Sequence, residues 1–203
     1  MKIFAVGMNY ADHNKELHHS LALQEPVIFM KADSLLKDGK PFFIPDFSSE
    51  IHYETQIVIK ISRLGKNIAN QFAHRYYDHV TVGIDFTARD LQTQLRSQRL
   101  PWELCKAFDR SAVVGTFLPT ATAGDIRNLS FHLDVNGQTV QQGNTNDMIF
   151  PVEHIIAYVS RFFTLRMGDL IYTGTPAGIG PVKIGDHLQG YLGDRKLLDF
   201  YVR

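Results

Sequence analysis

Several short stretches of this chain carry side chains able to move a proton, hold a cation or grip a carboxylate. In NYADHNKE, His13 and Glu16 stand three apart, on one face if the segment is helical. A histidine steered by a carboxylate is how a general base is usually built, although such pairs are also common on plain surfaces. In IHYETQIVIKI (51–61), a strand reading puts Thr55, Ile57, Ile59 and Ile61 on one side. His52, Glu54, Gln56, Val58 and Lys60 then share the other. That second face is either the wet side of an antiparallel sheet or a wall on which oxygen atoms converge.

GIDFTARDLQ places Asp85 at a strand end and Arg89 and Gln92 on the first turns of the helix that follows. Unpaired backbone N–H groups gather there, so the junction suits a metal or an anion. The plainer reading makes Asp85 a turn former and Arg89 a solvated helix residue. Lys106, in the apolar stretch LPWELCKAFD, is either partly buried and paired or snorkels to the surface. YTGTPAGIGPV (172–182) is glycine-rich and follows a strand. It lacks GxxxxGK[ST], leaves G-x-G-x-x-G incomplete, and has Pro181 where a dinucleotide fold would open its helix. Its threonines, Thr173 and Thr175, and its backbone N–H groups still suit a carboxylate. Zinc-ligand spacing and G-x-S-x-G are both missing, and Cys105 has no sequence-local activating partner. The carboxylate and amide oxygens above favour a hard cation such as Mg²⁺, Mn²⁺ or Ca²⁺.

The elements that must position these groups are mostly strands. KIFAVG (2–7), VIFMKA (27–32), ETQIVIKI (54–61), HVTVGIDF (79–86), SAVVGTFL (111–118), LSFHLDV (129–135), DLIYTG (169–174) and KLLDFYV (196–202) are β-branched or aromatic runs bounded by turn residues. Asn136-Gly137 and Gly193-Asp194 predict two hairpins. One helix begins at Thr87-Ala-Arg-Asp90, which fits a capping box followed by Leu91 and Leu95. A second begins near Pro151, with Ile155, Ile156, Val159, Phe162 and Phe163 as its core stripe and Gly168 as its end. Strands and helices do not alternate regularly, so the pattern predicts a strand-dominated α+β fold in one domain spanning 1–203. Residues 8–26 are polar and short of core anchors, which predicts a mobile segment.

Lysine plus arginine balances aspartate plus glutamate at 21 each, so no global field draws nucleic acid or an acidic membrane. No apolar run approaches the length of a membrane span. The start, MKIFAVGMNYADH, has neither a signal-peptide nor a presequence pattern. With a single cysteine, the expected setting is the cytoplasm.

Taken in order, VGMNYADHNKE, EPVIFMKADS, IHYETQIVI, GIDFTARDLQ, LPWELCKAFD, GNTNDMIF and GDLIYTGTPAGIGPV resemble the fumarylacetoacetate hydrolase family over nearly the whole chain. The likeness is strongest to its short acylpyruvate hydrolase/oxaloacetate decarboxylase branch. The resemblance implies a mixed-sheet β-roll, normally a homodimer. It implies a divalent metal, Mg²⁺ or Mn²⁺, at Glu54, Gln56 and Asp85, where the family's second carboxylate is a glutamine in this chain. Losing that charge should weaken the metal. A lid at 12–25 would carry the His13–Glu16 dyad, Lys106 would be the active-site lysine, and Lys31, Arg89, Gln92 and Thr175 would touch substrate. The activity implied is metal-dependent cleavage of a C–C bond in 3-acylpyruvate-type 2-oxo acids, with decarboxylation of oxaloacetate beside it. The alternatives are an isomerase or tautomerase of 2-oxo dicarboxylic acids and a metal-poor, non-catalytic ligand-binding dimer.

Overall fold

A computed structural model describes residues 1–16 and 23–203 of the chain. Its largest sheet runs in the order Val27–Lys31, Ile3–Gly7, Leu170–Tyr172, Thr55–Ile61, Tyr77–Asp85, Ala112–Val114 and Leu36–Lys37, with Leu118–Pro119 also paired to Tyr77–Asp85. The sheet is mixed. Ile3–Gly7 lies parallel to Leu170–Tyr172 and Leu36–Lys37 parallel to Ala112–Val114, while the other pairs are antiparallel. A second, antiparallel sheet is built from the two hairpins Ser130–Val135/Gln138–Asn144 and His187–Leu192/Arg195–Tyr201. Asn136 and Gly137, both at positive φ, turn the first of them as the sequence predicts. A small third sheet joins Gly180–Pro181, Ile51–Tyr53 and Thr87–Ala88. The fold is a strand-dominated α+β β-roll with few helices.

Burial explains why the long strands hold together. On Thr55–Ile61, Ile57, Ile59 and Ile61 join the core that also takes Ile155, Ile156 and Val159 of the helix Val152–Phe162. Val58, on the opposite face, packs with Ile3, Ala5, Val114 and Tyr172. Both faces are therefore dry, and the solvated-face reading of His52–Lys60 gives way to a buried wall at Glu54 and Gln56. Gly83 lies opposite Gln56 in the neighbouring strand. A Cβ there would sit 2.6 Å from the Val113 carbonyl oxygen and 3.0 Å from the Tyr172 ring. Gly83→Ala should therefore destabilise the fold by roughly 1–3 kcal/mol, the usual cost of overpacking, which urea unfolding would read directly.

Three local expectations fail for physical reasons. The run 51–61 is two strands, because the chain leaves the small sheet after Tyr53 and enters the large one at Thr55. The capping box does not form: the helix Arg89–Ser97 is capped by Ala88 without a side-chain bond. Its would-be partners are taken, Thr87 by the site described below and Asp90 by the hydroxyls of Ser48 and Ser49 and the Ser49 N–H. Burial alone would raise the Asp90 carboxyl, but these bonds and the Leu91 N–H bring it to about 2. The helix Val152–Phe162 stops before Gly168, which instead takes φ +87 in the turn into Leu170–Tyr172, and Phe162 is left exposed. Among the described residues, no helix is long and apolar enough to cross a membrane.

Candidate active site

Strand pairing brings the acidic residues together. Thr55 pairs with Ile84 and Gln56 with Gly83, and the Asp85 N–H donates to the Glu54 carbonyl at 2.9 Å. Glu54, Gln56 and Asp85 therefore meet where two sheets part. Lys31 reaches the same point from the end of Val27–Lys31, and Lys106 from the end of the short helix Glu103–Lys106.

Both lysines are buried, and each ammonium has three acceptors, as many as it has protons to give. Lys106 Nζ donates to Glu54 Oε2 at 2.7 Å, Asp85 Oδ2 at 3.0 Å and Thr87 Oγ1 at 2.6 Å. Lys31 Nζ donates to Asp85 Oδ1, to the Phe86 carbonyl at 3.2 Å and to the Lys106 carbonyl at 2.5 Å. Arg89 closes the cluster, donating from Nη2 to Glu54 Oε1 and from Nη1 to Gln92 Oε1, each at 2.5 Å.

Three cations thus face two carboxylates, leaving one positive charge in a desolvated place. Burial would raise the Glu54 carboxyl, but the charges of Lys106 and Arg89 hold it far below the usual carboxylate range. Burial likewise works against the Lys106 ammonium, yet Asp85 and Glu54 lift its pKa above the ordinary value. For Lys31 burial prevails and lowers it, with Lys106 adding to the effect and Asp85 opposing it. Cys105 is buried, and that burial raises its thiol, which favours the protonated form.

His13 is buried on the helix Ala11–Glu16, and its Nδ1 lies 3.1 Å from Glu16 Oε2. The other Glu16 oxygen accepts from the Gly178 N–H at 3.1 Å, which ties this helix to the glycine-rich loop. With Nδ1–H committed to Glu16, Nε2 keeps the lone pair a base needs. The lid read at 12–25 is described only at its edges, since 17–22 lie outside the described residues.

One cavity of ≈ 30 Å³ is lined by His13, Glu54, Arg89, Gln92, Lys106 and Thr175, among others. A volume of that order admits a water molecule. A wider cleft of ≈ 390 Å³ between Ile126 and Glu153 offers only Arg127 and Glu153 as charged groups.

All ten residues singled out in the sequence therefore gather at one place, as bonded partners or as cavity walls. Three supporting residues escaped notice. Thr87 receives Lys106 and donates to Glu54 Oε1 at 3.1 Å. Asn9, wholly buried, donates to the Phe150 and Thr173 carbonyls and accepts from the Phe150 N–H. Gln141 accepts from the Thr55 N–H and donates to Thr175 Oγ1. Only the first two lie in stretches whose pattern drew attention, NYADH and TARD; Gln141 has no sequence signal.

The donor set fits a divalent cation in part. Oxygens of Glu54 and Asp85 converge on one point, the one Lys106 Nζ reaches. The expected third ligand does not aim there: Gln56 Oε1 accepts from the Gly174 N–H at 2.7 Å, and its Nε2 faces Asp85 Oδ2 at 3.3 Å. Among the described residues no three His, Cys, Asp or Glu side chains form a ligand group. Two carboxylates fit the cation, and the glutamine as oriented does not.

The family described as fumarylacetoacetate (FAA) hydrolase C-terminal matches residues 2–200, and the chain belongs to it. The chain is 43% identical over 186 residues to a mitochondrial oxaloacetate decarboxylase of Dictyostelium discoideum, covering 91% of this chain and 85% of that protein. It is 39% identical over 189 residues to the oxaloacetate tautomerase YcgM of Escherichia coli (strain K12), covering 92% and 86%. The crystal structure of fumarylpyruvate hydrolase from Pseudomonas aeruginosa, in complex with Mn²⁺ and pyruvate, superposes with a TM-score of 0.93 at 34% identity, covering 100% of this chain and 89% of that one.

Proposed function

We propose that this protein is an enzyme of small 2-oxo acids that works through their enolate, converting oxaloacetate by tautomerisation or decarboxylation. The observation that carries the reading is the surplus positive charge of Lys31, Lys106 and Arg89 over Glu54 and Asp85 beside the His13 cavity. A dry site of that sign favours an anionic substrate and stabilises negative charge that develops on oxygen. The likeness to proteins named for oxaloacetate chemistry supports the substrate class.

In this reading Arg89 and Gln92 grip the substrate carboxylate, and Lys106 donates to the keto oxygen as its charge grows. Thr175 and Lys31 fix the turn and the acid cluster around them. A divalent cation, Mg²⁺ or Mn²⁺, held by Glu54 and Asp85 would polarise the keto group as a Lewis acid. In decarboxylation the C3–C4 bond breaks, CO₂ leaves, and the electron pair becomes the enolate. His13, which first takes a proton from solvent, then delivers it to C3. In tautomerisation His13 moves the proton between C3 and the oxygen side.

The His13–Glu16 dyad favours a second reaction at the same place, hydrolysis of a 3-acylpyruvate. There His13 takes a proton from water, which attacks the distal carbonyl. The C3–C4 bond then breaks to the same enolate and a carboxylic acid.

Steady-state assays with oxaloacetate and a panel of acylpyruvates test the proposal. Oxaloacetate turnover is expected, lost after chelation and restored by Mg²⁺ or Mn²⁺. Failure to turn over any 2-oxo acid with either ion would refute it.

A further inference from the structure

Gln56 separates this site from one lined by three carboxylates, and its surroundings say what it does instead. It is 1% exposed, so each end of its amide must find a partner inside the protein. The Gly174 N–H can meet only an acceptor, which assigns Oε1 to that end and Nε2 to Asp85. A carboxylate at this position has two acceptor oxygens and can serve the Gly174 N–H and a cation together. An amide has one. Turning the Gln56 oxygen toward Glu54 and Asp85 would set its NH₂ against the Gly174 N–H, donor facing donor, at a buried position.

Gly174 sits in a tightly packed turn. It holds φ +106, and a Cβ there would lie 2.6 Å from Asn9 Cβ. Beside it, Thr173 donates from N and Oγ1 to the Ile57 carbonyl, at 3.0 and 2.9 Å, and its own carbonyl accepts from Asn9 at 2.7 Å. The turn is clamped from both sides, and Gln56 is one of the clamps. Thr175, next along, reaches the cavity.

We propose that Gln56 is a positioning residue that holds the Thr173–Thr175 turn against the acid cluster and stands outside the ligand set of any divalent cation. Glu54 and Asp85 alone hold such an ion, in competition with the Lys106 ammonium for the same oxygens. The proposal rests on the cation-assisted reading above and concerns only how this chain implements it. Its consequence is a weakly held, exchangeable ion.

Mn²⁺ titration followed by electron paramagnetic resonance tests this on the parent, Gln56→Met and Gln56→Glu, each shown to be folded by thermal unfolding. Gln56→Met keeps the volume and removes the oxygen. It removes a hydrogen bond to Asp85 as well as the clamp on the turn, so it should weaken Mn²⁺ by no more than the roughly 10–100-fold that loss of an outer-shell partner costs, while also weakening pyruvate binding. Gln56→Glu should tighten Mn²⁺ about ten-fold or more, since it adds a charge and an oxygen that can reach the ion without releasing Gly174. A weakening well beyond about 100-fold in Gln56→Met, more than loss of an outer-shell partner costs, would make Gln56 a ligand and overturn the proposal. Equal affinity in Gln56→Glu and the parent overturns it as well. Absence of binding in all three proteins would overturn the cation reading and this proposal together, an outcome distinct from the other two.

Discussion

His13→Ala is expected to cut hydrolysis of an acylpyruvate about 10²–10⁴-fold, the usual worth of a general base. Hydrolysis needs an activated water, and His13 with Glu16 is the His–carboxylate pair at the cavity. Decarboxylation of oxaloacetate needs no attacking water. It should fall less, retaining the part that depends on Lys106 and Arg89 and losing only the assisted protonation at C3. Parallel steady-state assays of the two reactions decide the matter. Equal loss of both, with the His13 helix still docked through Glu16 and Gly178, would falsify the division of labour.

The second large effect is on folding as well as on turnover. Asp85→Ala removes the partner of both Lys31 and Lys106, leaving two ammonium groups buried beside Glu54 alone. Breaking a buried ion pair from one side typically costs about 3–5 kcal/mol. In a domain of this size that lowers the melting temperature by on the order of 10 °C, and both activities should disappear together. Asp85→Asn keeps the shape and one acceptor, so it should lose less stability than Asp85→Ala yet almost as much activity. A melting temperature for Asp85→Ala within a degree or two of the parent would show that the lysines find other partners, and the buried network would lose its central role.

Much of this arrangement can be read in the residues. The β-branched runs at 3–7, 27–31, 55–61 and 77–85 announce themselves because each is long enough for a periodicity to show, and Asn136-Gly137 marks its hairpin by chemistry. Pairs such as Leu36–Lys37, Thr87–Ala88 and Gly180–Pro181 are two residues long, too short to carry a period, and exist only because a neighbour is there to bond. The break at Glu54 is hidden for the same reason, since IHYETQIVIKI alternates smoothly through it. The candidate site residues stand out at strand ends and helix starts. Their supports do not: Gln141 looks like any polar strand residue, and nothing local shows that its amide bridges Thr55 to Thr175. Nor does the sequence tell which end of Gln56 faces Asp85. That is decided by Gly174, more than a hundred residues away.

Decarboxylation and hydrolysis release the enolate of pyruvate and tautomerisation forms that of oxaloacetate at the same carbon, so enolate formation can be observed without choosing among them. Incubating the protein with pyruvate and Mn²⁺ in D₂O and following the methyl signal by proton NMR measures that step alone. Exchange of the methyl protons for deuterium is expected well above the uncatalysed rate, sharply reduced in Lys106→Met, which cannot donate to the keto oxygen. Pyruvate that binds but keeps its protons at the background rate would contradict the enolate reading.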